Sequence, residues 1–255
     1  MLPILYQDKH LVVVYKPAGM LVHRSFRAPQ ETEFLLQRLR DQLGQRVYPV
    51  HRLDRPTAGL LVFALDADSA RRLTESFTER GVQKSYLAIV RGHVQAAGEI
   101  DYPLQEQLDD YDDPRTQLDK DPQPARTSYV PLAQVTLPIA IGRYPEARYS
   151  LLRLHPHTGR QHQLRRHLKH IFHPIVGDTS YGEGRHNRLF REHFAWQRLA
   201  LASLGLGFYH PYSGEWIDVQ SAPDAELLML LDKLGWSFAV TDLTNESKRI
   251  EDSVR

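Results

Sequence analysis

One carboxylate, Asp54, stands between two arginines, Arg52 and Arg55, in the stretch HRLDRPTAG that runs from His51 to Gly59. A cation beside a carboxylate favours its ionised form. An ionised, positioned carboxylate serves as a nucleophile or as a base. The plainer reading is an ion pair in a surface turn, with Pro56 and Gly59 doing only turn work. An apolar run from Leu60 to Leu65 follows directly, so the carboxylate sits on a loop feeding a buried strand. Rigid scaffolds commonly carry catalytic groups on such loops.

A second concentration of chemistry lies between Arg143 and His173, where seven Lys/Arg and six histidines face a single acid, Glu146. So many histidines invite a metal reading. Yet His167 and His170 are three apart, no His-Glu-x-x-His pattern accompanies them, no aspartate follows until Asp178, and the chain has no cysteine. No metal is expected on that pattern. Contacts to phosphate or to a base suit this much imidazole and guanidinium better. Within TGRQHQLRRHL, Thr158 or Gly159 is placed to start a helix through Lys169, and the free N–H groups of such a start suit an anion. On that helix His162, Arg165 and Arg166 cluster, while Leu164 and Leu168 mark the buried side. Tyr86 shares one side of a strand with Ala88 and Val90; it reads as a core residue or as a stacking surface for an unpaired base. Nucleotide fingerprints are missing, because Gly205-Leu206-Gly207 lacks a third glycine and no Walker sequence occurs.

Several elements must position these groups. Leu11 to Tyr15 reads as a strand, Lys16 to Gly19 as a turn and Met20 to His23 as a short extended piece. Gln30 to Leu43 has helical spacing and Gly44 stops it. Gly59 to Leu65 is an apolar strand, Asp66 to Arg80 a helix capped by Asp66 or Asp68, and Lys84 to Val90 another strand. Arg148 to Leu154 is a strand, His155 to Gly159 a turn, and Pro223 to Leu234 a late amphipathic helix. The proline-punctuated segment 105–124 reads as an inserted loop, set in a stretch from Glu99 to Asp121 with nine acids and two bases. The mixture points to one α+β (mixed α/β) domain over residues 1–241, followed by a polar tail, 242–255, expected to fray.

Composition is ordinary for a globular chain: 255 residues, 42% hydrophobic, 25% charged, formal net charge +1. The polarised charge matters more for polyanion binding than the sum. Absence of cysteine fits a reducing cytoplasm. The opening MLPILYQDKHLVVVYKP has no apolar core of a signal peptide, and nowhere do 18 apolar residues run together. No membrane association is expected.

HRLDRPTAGLLVFAL, KSYLAIVRG, TGRQHQLRRHL and HPIVGDTSYG, preceded by VVYKPAGMLVH, resemble in order and spacing the RluA-type pseudouridine synthase family. The resemblance runs from about Leu5 to Ser221. It implies a mixed, largely antiparallel sheet flanked by helices, a basic cleft for RNA, and no cofactor or metal. It makes Asp54 the catalytic aspartate and Arg165 its partner. Arg52 enters the RNA helix where the target base was, Tyr86 lies against the flipped uracil and assists the final proton removal, and Arg160 holds phosphate. Arg55, His162 and Arg166 are the remaining RNA-binding candidates. Ala58 stands where the family usually has serine. DPQPARTSY, GRYPEARYSLLRL and the late LGW resemble the branch that modifies uridine 65 in the T-stem of tRNA, and no additional N-terminal RNA-binding domain is expected. The oligomeric state is not readable, with a monomer the expectation. Three rivals remain: a binding-only protein of the same fold, the same chemistry on ribosomal RNA, and a metal-dependent phosphohydrolase built on the histidines.

Overall fold

The computed structural model describes residues 1–23, 33–78, 81–107 and 121–237. In chain order the elements are β1 (Ile4–Gln7), β2 (Leu11–Lys16), α1 (Leu35–Leu43), β3 (Tyr48–Pro49), β4 (Ala58–Ala64), α2 (Ala67–Thr78) and β5 (Gln83–Arg91). Then come β6 (Gly98–Asp101), β7 (Arg126–Leu137), β8 (Ala147–Pro156), α3 (Gln163–His170), α4 (Gly184–Phe194), β9 (Leu201–Tyr209), β10 (Trp216–Gln220) and α5 (Ala225–Lys233). The strands form one ten-stranded sheet in the order β1-β2-β4-β9-β5-β8-β7-β6, with β10 on β9 and β3 on β4. Every pairing is antiparallel except β4 on β9. The α+β expectation holds.

β4 is apolar at every position because both of its faces are covered. Leu60, Val62 and Ala64 pack with Leu73 of α2 and Phe208 of β9, while Leu61 and Phe63 join the larger cluster that takes in Leu35 and Leu39 of α1. Asp66 opens α2 by accepting from the Ser69 N–H at 2.8 Å, as its capping position requires. Beyond Ile89 the sheet forks. Val176 N–H donates to the Ile89 carbonyl at 2.9 Å, Ala200 N–H to Val176 at 2.9 Å, and Ile89 N–H to Ala200 at 3.1 Å. The chain around residues 174–178 is thus wedged between the end of β5 and the approach to β9.

Two expected boundaries move. α1 starts at Leu35 rather than Gln30, and residues 30–32 of that expectation lie outside the described ones. α3 starts at Gln163, not at Thr158 or Gly159. The Gln163 side chain is the reason: its Oε1 accepts from Thr158 Oγ1 at 2.7 Å and from Arg160 N–H at 3.0 Å, which folds residues 158–162 into a turn. Of the 105–124 insertion, the stem is described: Leu104 and Gln123 exchange backbone hydrogen bonds at 2.9 Å. Residues 108–120 and the tail after Ser237 lie outside the described residues. Among the described residues no helix is long and apolar enough to cross a membrane.

Candidate active site

The loop bearing Asp54 is fastened to the turn after β2. Lys16 is fully buried and its Nζ donates to the carbonyls of Pro17 (3.1 Å), Met20 (2.9 Å) and Arg55 (3.0 Å). Arg55 Nε returns a hydrogen bond to the Gly19 carbonyl at 2.9 Å, and Thr57 N–H donates to the Asp54 carbonyl at 3.0 Å. Burial pulls Lys16 down to about 7 against the opposing pull of the Asp54 charge. Gly59 does more than turn work. It lies inside β4 at φ +120, and a Cβ there would drive into the Ser203 backbone of β9. Only glycine lets β4 and β9 meet beneath the loop.

Across the cleft, Arg165 reaches in from the first turn of α3. Its Nη1 stands 3.4 Å from Asp54 Oδ2, while Nε and Nη2 make a two-pronged pair with Asp178 at 2.8 and 2.9 Å. Burial works against its charge, but the two carboxylates outweigh it and raise its pKa. Asp178 is 2% exposed. Burial pushes its carboxyl up, and the Arg165 pair with the N–H groups of Ser180 and Tyr181 more than reverses this, leaving it below the usual range. Arg165 therefore arrives charged and aimed, with one nitrogen left for Asp54.

His162 caps α3 in a left-handed conformation (φ 51) that is rare for a non-glycine residue. The turn sends its ring inward, with Nε2 3.9 Å from Asp54 Oδ2 and Nδ1 3.0 Å from the Tyr181 hydroxyl. Tyr181 also carries the Arg165 guanidinium over its ring at 5.0 Å and donates to Gln107 Oε1 at 3.0 Å. Tyr86 is buried on β5. Burial, with the Asp54 charge adding, pushes its hydroxyl up to about 12 despite a hydrogen bond with Ser203.

The structure thus brings Arg165 and His162 to Asp54, with Tyr86 near enough to feel the Asp54 charge. Arg55 is half-buried and serves the loop; Arg52 is exposed beside His23. Arg160 and Arg166 flank the insertion's stem, donating to the carbonyls of Pro124 (3.2 Å) and Gln105 (2.8 Å). Of the other histidines of the basic segment, His155 meets the Lys84 carbonyl, His157 Ser128, His167 Thr127 and Tyr102, His170 the Tyr102 ring, and His173 the Arg91 carbonyl. Sequence reasoning passed over Asp178, Tyr181 and Lys16. The first two stand inside HPIVGDTSYG, but nothing local couples that stretch to a helix 13 residues earlier.

A family profile described as RNA pseudouridylate synthase matches residues 10–170. The tRNA pseudouridine synthase C of Vibrio cholerae is 52% identical over 236 residues, covering 92% of this chain and 97% of that protein. The protein of the same name from Haemophilus influenzae is 53% identical over 236 residues, 92% of this chain and 99% of its own. Among solved structures, human RNA pseudouridylate synthase domain containing 1 superposes with a TM-score of 0.67 at 29% identity over 88% of this chain and 84% of that one. Human RNA pseudouridylate synthase domain containing 4 gives 0.66 at 27% identity over 91% and 92%.

Proposed function

The chain belongs to the RNA pseudouridylate synthase family, and on that premise we propose that it isomerises uridine 65 in the T-stem of tRNA to pseudouridine, with Asp54 as the catalytic carboxylate. The observation that carries the catalytic assignment is the Asp54–Arg165 contact at 3.4 Å, held from behind by Asp178. A cation fixed on one side of a carboxylate keeps it anionic without consuming its other oxygen.

The reaction breaks the N1–C1′ bond, turns the uracil in the site, and joins C5 to C1′ before the C5 proton leaves. Asp54 either attacks C1′, forming an ester that the returning C5 displaces, or takes the C2′ proton to give a glycal that is later reprotonated. Both routes begin from the anion. Target uridine must first leave its stack, at a cost of a few kcal/mol. The exposed Arg52 is placed to enter the vacated position, and Tyr86 offers the extruded base a face. A raised hydroxyl pKa keeps Tyr86 a neutral phenol while Asp54 is charged. Burial is the larger cause and persists when Asp54 is esterified or protonated, so the part assigned to Tyr86 in the late proton removal is that of a positioned phenol beside the base. Arg160 and Arg166 supply phosphate contacts, so binding weakens with salt. We assign the work to the cytoplasm, a reading supported by a chain without cysteine.

Pseudouridine mapping by carbodiimide labelling and primer extension tests the reading. Unmodified tRNA and ribosomal RNA transcripts are incubated with the protein and with Asp54→Asn, in chelator. One new stop in the tRNA T-stem is expected, and its rate of appearance should fall more than about a thousandfold in the variant. A stop in ribosomal RNA alone overturns the tRNA assignment.

A further inference from the structure

Lys84 carries an ammonium with no carboxylate and no hydrogen-bond acceptor of its own among the described residues. Its Nζ lies over the Phe77 ring at 5.5 Å. On the same ring, stacked at 4.7 Å, is His51, the first residue of HRLDR. A half-buried cation left without a counter-charge is costly, and proteins rarely leave one so without a use for it. Burial lowers the pKa of Lys84. Burial first, and the Lys84 charge second, hold His51 well below its ordinary value, so its ring is neutral. His51 Nε2 accepts from Val62 N–H at 3.2 Å, which leaves its proton on Nδ1 as a donor.

Two further facts place this pair beside the reacting centre. Lys84 precedes Tyr86 by two residues on β5, about 7 Å along the strand, and the pairing with β9 slips between Ser85 and Tyr86. A Cβ at Gly159 would stand 4.0 Å from the Lys84 Nζ, so the bare turn before α3 borders the ammonium with no side chain between. The Gly159 N–H makes no hydrogen bond among the described residues. A cation and an unused backbone donor therefore stand side by side, a neutral imidazole shares the Phe77 ring with the cation, and no carboxylate among the described residues pairs with that cation.

We propose that Lys84, His51 and the Gly159 turn form a subsite for one phosphodiester of the RNA strand, next to the nucleotide that lies against Tyr86. This rests on the reading that the substrate is RNA. One phosphate oxygen pairs with the Lys84 ammonium and another takes the His51 and Gly159 N–H groups. The subsite fixes the strand's position along β5 after the base has left its stack, setting C1′ against Asp54.

The test compares the wild type, Lys84→Met and Lys84→Arg by RNA affinity across a salt series, with thermal transitions recorded for each. Two RNAs are used, one unmodified and one with neutral methylphosphonate linkages on both sides of the target uridine. On unmodified RNA, Lys84→Met should bind about tenfold more weakly, with a log Kd against log salt slope smaller by about 0.7–0.9, the value of one lost phosphate contact. Lys84→Arg should keep most of the affinity, and the neutral-linkage RNA should be bound equally by wild type and Lys84→Met. Removing an unpaired cation should leave the thermal midpoint of Lys84→Met unchanged or higher. Equal salt slopes for wild type and Lys84→Met overturn the subsite, and a lower midpoint with an unchanged slope assigns Lys84 to the fold instead. If wild type converts only ribosomal RNA, the tRNA reading falls, and the same comparison on that RNA still decides the subsite.

Discussion

Arg165 serves two carboxylates that differ in kind. Asp178 takes two guanidinium nitrogens at full hydrogen-bond distance and is sealed from water, whereas Asp54 takes one at 3.4 Å and its side chain stays 22% exposed. The first pair fixes the arginine; on the proposed reading the second puts it to use. Asp178→Asn keeps the shape and loses the charge, leaving a buried guanidinium half-paired. The expected cost is on the order of 3 kcal/mol of stability. Because Asp178 touches no substrate, we expect the single-turnover rate to fall about 10–100-fold while RNA affinity changes little. Its carboxyl is held below the unfolded value of about 3.9. Stability from the pair is therefore complete above that pH and is lost as pH falls through the folded value. Acid unfolding of Asp178→Asn should accordingly show a weaker pH dependence than wild type, measured by denaturant titration between about pH 5 and pH 3.

At the scale of elements, the crossing of β4 and β9 decides where the Asp54 loop can lie. Gly59→Ala adds both a strained φ and a collision with the Ser203 backbone. A loss on the order of 2–4 kcal/mol is expected, seen as a thermal midpoint lowered by roughly 10 °C in a chain of this size. Activity should fall with it, since the strands can part only by moving the loop. Much at this scale was legible beforehand. β2, β4, β5 and α2 were read from apolar runs and turn residues because their signals are local. β7 escaped because its burial is irregular and Pro131 stands at its bulge. α4 escaped because it buries only Leu189 and Phe190, too few for a stripe. β9 was hidden by two glycines that accommodate the Trp216 ring and the Gln220 and Ser85 side chains. The start of α3 was misplaced by a side chain, Gln163, that folds the preceding turn onto itself. Asp54, Tyr86 and Arg165 lay in readable motifs. Asp178 also stood in a motif, HPIVGDTSYG, but its role was not legible, because its partnership depends on how the chain threads the fork in the sheet.

In the molecule as a whole, the parts of the site come from distant stretches of the chain. Asp54 and Arg165 are separated by 111 residues, and Tyr15 and Asp224, which share a hydrogen bond, by 209. Contacts of such span are entropically late, whereas α2 and the β7–β8 hairpin need only nearby partners. The wedge at residues 174–178 adds an order of events. It can be gripped only once β5 and the approach to β9 both flank it, and it is this segment that delivers Asp178 to Arg165. A chain refolding from denaturant should regain its far-ultraviolet dichroism first and its isomerase activity in a separate, slower phase. Coincident phases would show that the wedge closes early. On the proposed reading, chemistry is timed as well as placed: a chain that opens at the fork should go catalytically silent before it comes apart.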